Sequence, residues 1–190
     1  MRLAIKIGTI IVGAACLAGA AQRVGGSPAQ SGEGKGAEYV GSNKCRPCHL
    51  KEYKSWLETR HAHALENLGK ADAQAVQAWA AKLKVAVKGA PEKADECVIC
   101  HATGFKLAGG YPAADPAKNA SLAGVGCESC HGAGSRHAKA TKAEKKSTIH
   151  RGASETQCRK CHTTAVDARF AFAANRAKGV HAVRAAPASK

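Results

Sequence analysis

Four times the chain repeats two cysteines separated by two residues and followed at once by a histidine: Cys45/Cys48/His49, Cys97/Cys100/His101, Cys127/Cys130/His131 and Cys158/Cys161/His162. Cys-x-x-Cys-His is the attachment signature of c-type haem. The two thiols form thioethers with the two vinyl groups of one macrocycle, the spacer sets the sulfurs at the vinyl spacing, and the adjacent histidine turns its ring onto the iron. Two other chemistries use paired cysteines. A disulfide framework suits an exported protein but needs no histidine after each pair. Four pairs could also build two four-thiolate zinc sites, which again leaves four histidines at one offset without a purpose. Four covalently bound haem c groups use every residue of every motif.

A haem iron held by one histidine has a second axial position. A second histidine there closes the site and favours electron transfer, whereas an open position permits ligand binding or catalysis. The sole methionine is Met1, in what reads as a leader, so histidine is the available second ligand, and His61, His63, His137, His150 and His181 lie outside the motifs. Over residues 50–68, Leu50, Tyr53, Leu57, His61, Leu65 and Leu68 fall on one helical stripe. That pattern predicts a helix with His61 on its buried face and His63, about 200° further round, in solvent. His137 sits too near His131 to reach the far face of the same haem and is assigned to another. His181 shares a stripe with Val166, Phe170, Ala173 and Ala177 over 165–183, interrupted by Gly179. The candidate iron ligands are therefore His49, His101, His131 and His162 with His61, His137 and His181. His150, in a loop before the fourth motif, is a further histidine within the same region.

The elements that must hold these groups are short. At 190 residues the chain suits one domain. Aromatics are 4% and much of the 45% hydrophobic fraction is alanine, too small for a large side-chain core. The expected fold is mainly α with long loops, a multihaem cytochrome c fold in which four covalent haems form the core and without which the chain is largely unfolded. Residues 71–87 read as a second helix ending before Gly89-Ala90-Pro91, with Trp79 in packing, and 104–112 read as turns over a haem edge. Residues 1–20 read as a signal peptide: Arg2 and Lys6, an apolar run, then Ala18-Gly19-Ala20, with cleavage near Ala20. The run is shorter than the roughly 20 residues of a membrane span, and the residues ahead of Cys16 make a poor lipid-attachment box. A flexible tether over 21–38, a tetrahaem domain over 39–184 and a frayed tail over 185–190 complete the division. Export implies a periplasmic protein. The formal charge of +15 falls to about +13 once Arg2 and Lys6 are removed, with a cluster at Lys139, Lys142, Lys145 and Lys146. Export and haem turn that charge away from nucleic acid and towards redox proteins with an acidic docking surface, and it is compatible with peripheral contact at an anionic membrane. The oligomeric state is not encoded in any recognisable pattern.

Three stretches resemble a known family: Lys44-Cys45-Arg46-Pro47-Cys48-His49 with Lys54-Ser55-Trp56 and Thr59-Arg60-His61-Ala62; Cys97-Val98-Ile99-Cys100-His101 with Gly104-Phe105 and Gly109-Gly110-Tyr111; and Leu122-Ala123-Gly124-Val125-Gly126-Cys127-Glu128-Ser129-Cys130-His131-Gly132. The chain resembles the tetrahaem cytochrome c-554 family, whose best-known member takes electrons from hydroxylamine oxidoreductase and passes them towards a membrane cytochrome. The resemblance implies three bis-histidine haems and one five-coordinate haem in closely stacked pairs. Carried over by position, it sets His61 opposite His162, His137 opposite His49 and His181 opposite His131, leaving the haem on His101 five-coordinate. The chain looks shorter than the family after His162, so the His101 haem is either more exposed or capped by His150 or His63.

An electron carrier, not an enzyme, is the expected function. The alternatives are a redox enzyme acting on a small nitrogen oxide or sulfur compound at the His101 haem, and a subunit of a polymeric cytochrome wire in which His63 or His150 reaches a neighbour's haem. Glu128, inside the third motif, reads as a solvated or propionate-adjacent residue rather than a catalytic acid.

Overall fold

The computed structural model describes residues 36–177 and 181. The leader, most of the tether and the tail fall outside the described residues. Within them the chain is helical, with short helices α1 (Leu50–Leu57), α2 (Ala64–Gly69), α3 (Ala73–Leu83), α4 (Asp95–His101), α5 (Pro116–Leu122), α6 (Cys127–His131), α7 (Ser135–Lys139), α8 (Glu155–Cys158) and α9 (Phe172–Ala177). An isolated bridge between Ala102 and Ala123 is the nearest approach to a sheet among the described residues. No helix among them is long and apolar enough to cross a membrane.

Starts and stops follow local chemistry. The Asp72 carboxylate accepts from the Ala75 N–H at 2.8 Å and caps α3. Asp115 caps α5 through the Lys118 N–H at 2.6 Å, with Pro116 in the first turn. The helix expected over 50–68 is instead two helices. Thr59 divides them: its hydroxyl donates to the Trp56 carbonyl at 2.7 Å and accepts from the Ala62 N–H at 3.3 Å, so a side chain takes the place of ladder partners. His61 thus lies in the turn between α1 and α2, half-buried, and Leu50 and Leu57 are exposed while Trp56 is buried. The second expected helix stops at Leu83, where Lys84 turns left-handed (φ 56°), well before Gly89. Trp79 is on its surface with the Lys82 ammonium 4.3 Å from the ring centre, rather than in packing. Residues 165–171 are turns and extended chain, so the helix expected over 165–183 is confined to α9 within the described residues.

Side-chain packing is sparse and divided. Tyr39, Leu122 and Ala133 form one cluster, Leu65, Val98 and Ala102 a second, and Val76, Ala80 and Val87 a third. The turns of 104–112 close on Tyr39: Gly104 has φ +64°, and a Cβ there would stand 2.6 Å from the Tyr39 ring.

What joins the pieces is a buried polar network. Glu128 is 1% exposed, and its carboxylate accepts from the N–H groups of Val40 (2.9 Å), Gly41 (2.7 Å) and Gly134 (2.7 Å). It is neither solvated nor free; it clips the start of the domain and the exit of α6 to the third motif. Thr103 does the same for the motif's entry. Its hydroxyl donates to the Gly124 carbonyl at 2.7 Å and accepts from the Gly126 N–H at 2.8 Å.

Candidate haem sites

All four motifs are single helical turns. Cys97 to His101 closes α4, and Cys127 to His131 is the whole of α6. In the first motif the His49 N–H donates to the Cys45 carbonyl, and in the fourth the His162 N–H donates to the Cys158 carbonyl, both at 2.9 Å. Cysteines at i and i+3 and histidine at i+4 therefore share one face, which is what two thioethers and one iron bond on the same macrocycle require. The eight described cysteines are free of disulfides. Among the described residues no group of three or more Cys, His, Asp or Glu is gathered as a lone metal ion would need.

The motifs lie in neighbouring pairs. Cys45 lies beside Cys127, and Cys100 beside Cys161, which brings the first motif to the third and the second to the fourth. The Cys127 contact and burial push Cys45 up, and burial pushes Cys130, beside Cys158, up to about 11. The third and fourth motifs are tied by the Gln157 side-chain amide of α8, which donates to the carbonyls of Ser129 (3.1 Å) and Cys130 (2.8 Å).

Three imidazoles from outside the motifs face three from within. Ring centroids are 6.2 Å apart for His49 and His137, 6.0 Å for His61 and His162, and 6.1 Å for His131 and His181. Two imidazoles bonded to opposite sides of one metal at about 2 Å, with about 1 Å more from nitrogen to ring centre on each side, have centroids about 6 Å apart. Interplanar angles of 30°, 77° and 25° are all open to such a pair, because each ring turns about its own bond.

Nitrogen by nitrogen, the rings are prepared for a metal. Nδ1–H of His101 donates to the Ala64 carbonyl (2.9 Å), that of His131 to the His150 carbonyl (2.6 Å) and that of His137 to the Lys145 carbonyl (2.9 Å), while His162 Nδ1 meets the Asp167 carboxylate at 3.1 Å. A proton fixed on Nδ1 leaves the Nε2 lone pair for iron. Burial, with His162 and His101 close by, lowers His61 from the ordinary histidine value, and burial does the same for His131, the direction that favours the neutral ring a ligand needs.

The other two histidines are placed differently. His63 is exposed, its ring nitrogens facing the Leu57 carbonyl (2.9 Å) and the Glu66 carboxylate (3.2 Å). His150 lies beside His131, its N–H donating to the His131 carbonyl at 3.0 Å and its own ring exposed. Neither is set against His101.

Comparison with known proteins finds a likeness over part of the chain. Residues 44–132 match the model of the family described as cytochrome c554 and c-prime. A 98-residue stretch is 42% identical to cytochrome c-554 of Nitrosomonas europaea, covering 52% of this chain and 40% of that relative. The solved structure of reduced cytochrome c554 from the same organism superposes with a TM-score of 0.55 at 29% identity, over 76% of this chain and 85% of that one. The chain is similar to cytochrome c-554, and its matched stretch spans less than half of that relative's length.

The likeness to cytochrome c-554 and the shared face of each Cys-x-x-Cys-His turn both fit covalently attached haem c. The matched residues 44–132 hold the first three motifs and His61; His137, the fourth motif and His181 lie beyond them. Three residues that hold the sites escaped the sequence reading. Thr103 and Gln157 carry no motif signal, being ordinary polar residues whose partners are remote in sequence. Asp167, five residues after His162, is a loop carboxylate like any other until the turn at 163–167 folds it back, its N–H donating to the Thr163 carbonyl at 2.7 Å.

Proposed function

We propose that the protein is an exported, periplasmic electron carrier holding four haem c groups, one on each motif, and that it relays electrons between redox proteins. Bound haem supplies a one-electron iron couple. The observation that carries the reading is the set of three facing imidazole pairs at 6.0–6.2 Å. In it, Cys45 and Cys48, Cys97 and Cys100, Cys127 and Cys130, and Cys158 and Cys161 anchor the haems. His49, His101, His131 and His162 bind on one side, and His137, His61 and His181 close the other side of all but the His101 site. Histidine on both sides keeps small molecules off and lets electrons pass with little rearrangement. The contacts between motifs give an order of neighbours: first, third, fourth, second.

The basic segment that follows α7 is the proposed docking surface. Arg136, Lys139, Lys142, Lys146 and Arg151 are exposed there, and the same segment supplies the Lys145 and His150 carbonyls that hold His137 and His131. An acidic redox partner, such as the hydroxylamine oxidoreductase-like donor that the resemblance suggests, would meet positive charge on the segment that anchors His137 and His131.

Electron paramagnetic resonance of the oxidised holoprotein, with and without nitric oxide or cyanide, tests the ligation. Three low-spin haems inert to added ligand and one that binds it are expected. Four inert low-spin haems would overturn the open His101 site, and two or more open haems would overturn the histidine pairing.

A further inference from the structure

The four motif histidines are not held alike. His101 and His131 donate through Nδ1 to the neutral carbonyls of Ala64 and His150, whereas His162 faces a carboxylate, Asp167 Oδ2, at 3.1 Å. We propose that Asp167 is the residue that sets the potential of the fourth haem, holding it below the value that a carbonyl-anchored histidine would give. The inference rests on the reading of His162 as an iron ligand.

The chemistry is that of an anionic acceptor behind a ligand. A carboxylate drawing on the Nδ1 proton makes Nε2 a stronger donor. A stronger donor and an added negative charge both favour the oxidised, more positive iron, so the midpoint potential falls. The surroundings keep the contact in one geometry. The Phe170 ring stacks on His162 with centroids 4.6 Å apart and a 21° tilt, and its own backbone is fixed by the Phe170 N–H donating to the Asp167 carbonyl at 3.1 Å. The Arg159 guanidinium lies 4.8 Å from the Phe170 ring centre and donates to the Phe170 carbonyl at 3.0 Å. It is also paired with Glu155 at 3.3 Å, while the ion pair of Asp167 is with His162. Asp167 touches neither the reacting iron nor a substrate; it is a positioning residue. Its consequence is directional. The fourth motif stands between the third and the second, so lowering the potential of a haem held there would favour release of its electron to a neighbour over its retention.

The test is spectroelectrochemical titration of the full-length holoprotein and of its Asp167→Asn and Asp167→Ala variants, read by visible absorption and by electron paramagnetic resonance. His61→Ala marks the haem in question as the one it turns high-spin; if no haem responds to His61→Ala, the ligation reading fails and the inference with it. With that mark in place, both Asp167 variants should move this haem's midpoint potential upward, leave the other three unmoved and keep its low-spin signal. Unchanged potentials in Asp167→Asn overturn the proposal. A shift in Asp167→Ala alone overturns it too, because the hydrogen bond and not the charge would then matter, and equal shifts of all four haems would mean general loosening instead of local tuning.

Discussion

The residues around the first three motifs and the segment beyond residue 134 hold their histidines by different means. In the first region fixation is through buried polar atoms far apart in sequence: Glu128 takes the N–H groups of Val40, Gly41 and Gly134, and Thr103 bridges Gly124 and Gly126. His61 is carried by that framework, since its carbonyl accepts from the Val125 N–H at 2.8 Å and the Trp56 indole donates to the Val125 carbonyl at 3.0 Å. In the second region the contacts that hold His137 and His162 are local. His137 is held by Lys145 and Thr148, and His162 by Asp167 and Phe170. A frame that keeps its shape through remote, buried bonds can hold a ligand turn in advance; a segment built from its own near neighbours depends on the ligand contacts themselves.

The most severe break of that contrast is Glu128→Ala. Three N–H groups, those of Gly41 and Gly134 buried and that of Val40 half-buried, lose their acceptor at once, at about 3 kcal/mol or more, and the expected result is loss of soluble holoprotein or a much lower thermal midpoint by circular dichroism in the haem band. Asp167→Ala, at a contact about one-third exposed on both sides, should cost only about 1 kcal/mol. Equal costs for the two would remove the distinction between remote and local fixation. Thr103→Val is next. It keeps the shape but leaves the Gly126 N–H without its acceptor, so a loss of about 1–3 kcal/mol in denaturant titration is expected, with the haem spectrum intact below the transition.

Ligand removal separates the regions more finely. In His61→Ala the turn remains pinned by Val125 and by Thr59, so a gap of imidazole shape is left and added imidazole should return the opened haem to low spin. In His137→Ala the ring that ties Lys145 and Thr148 to α7 is gone, and the loop loses its own anchor as well as the ligand. Imidazole should restore the low-spin signal less completely there, at the same concentration. Rescue that is equally complete in both variants would show that the second region is as firmly preset as the first.

How much of this the chain announced in advance follows the same division. The haem motifs are legible because two thioethers and an iron bond admit one spacing, and the mainly α architecture with long loops because alanine-rich, aromatic-poor sequence leaves little else. His61 was picked out for a reason that does not operate: the apolar stripe of a helix over 50–68. The Thr59 hydroxyl ends that helix, and periodicity has no means of weighing a side chain against a ladder bond. Glu128 was visible but read as solvated, since a carboxylate is ordinarily exposed; only the convergence of N–H groups from 40, 41 and 134 makes burial tolerable. The stripe over 165–183 failed where residues 165–171 fold as turns around Asp167, a contact whose partners lie five residues apart and fit no helical or strand period.

The smallest effect on the fold, and the one that bears on partners, is expected from the pair Lys142→Glu and Lys146→Glu. Both side chains are exposed and neither carries a contact to the histidine anchors, so stability should stay within about 0.5 kcal/mol of the parent and the spin states should not move. Lys145 must be left in place, because its ammonium donates to the His137 carbonyl at 2.8 Å and its carbonyl receives the His137 Nδ1–H. Stopped-flow reduction by an acidic redox protein should slow in the double variant at low ionic strength, and the difference should shrink as salt screens the attraction, the Debye length falling from about 30 Å at 0.01 M to about 10 Å at 0.1 M. A difference that persisted at high salt would place the effect in the haems rather than in docking. Unchanged rates at low salt would move the docking face away from this segment, and the local, less firmly built region would then be a haem holder alone rather than a haem holder that also presents the charge by which partners find it.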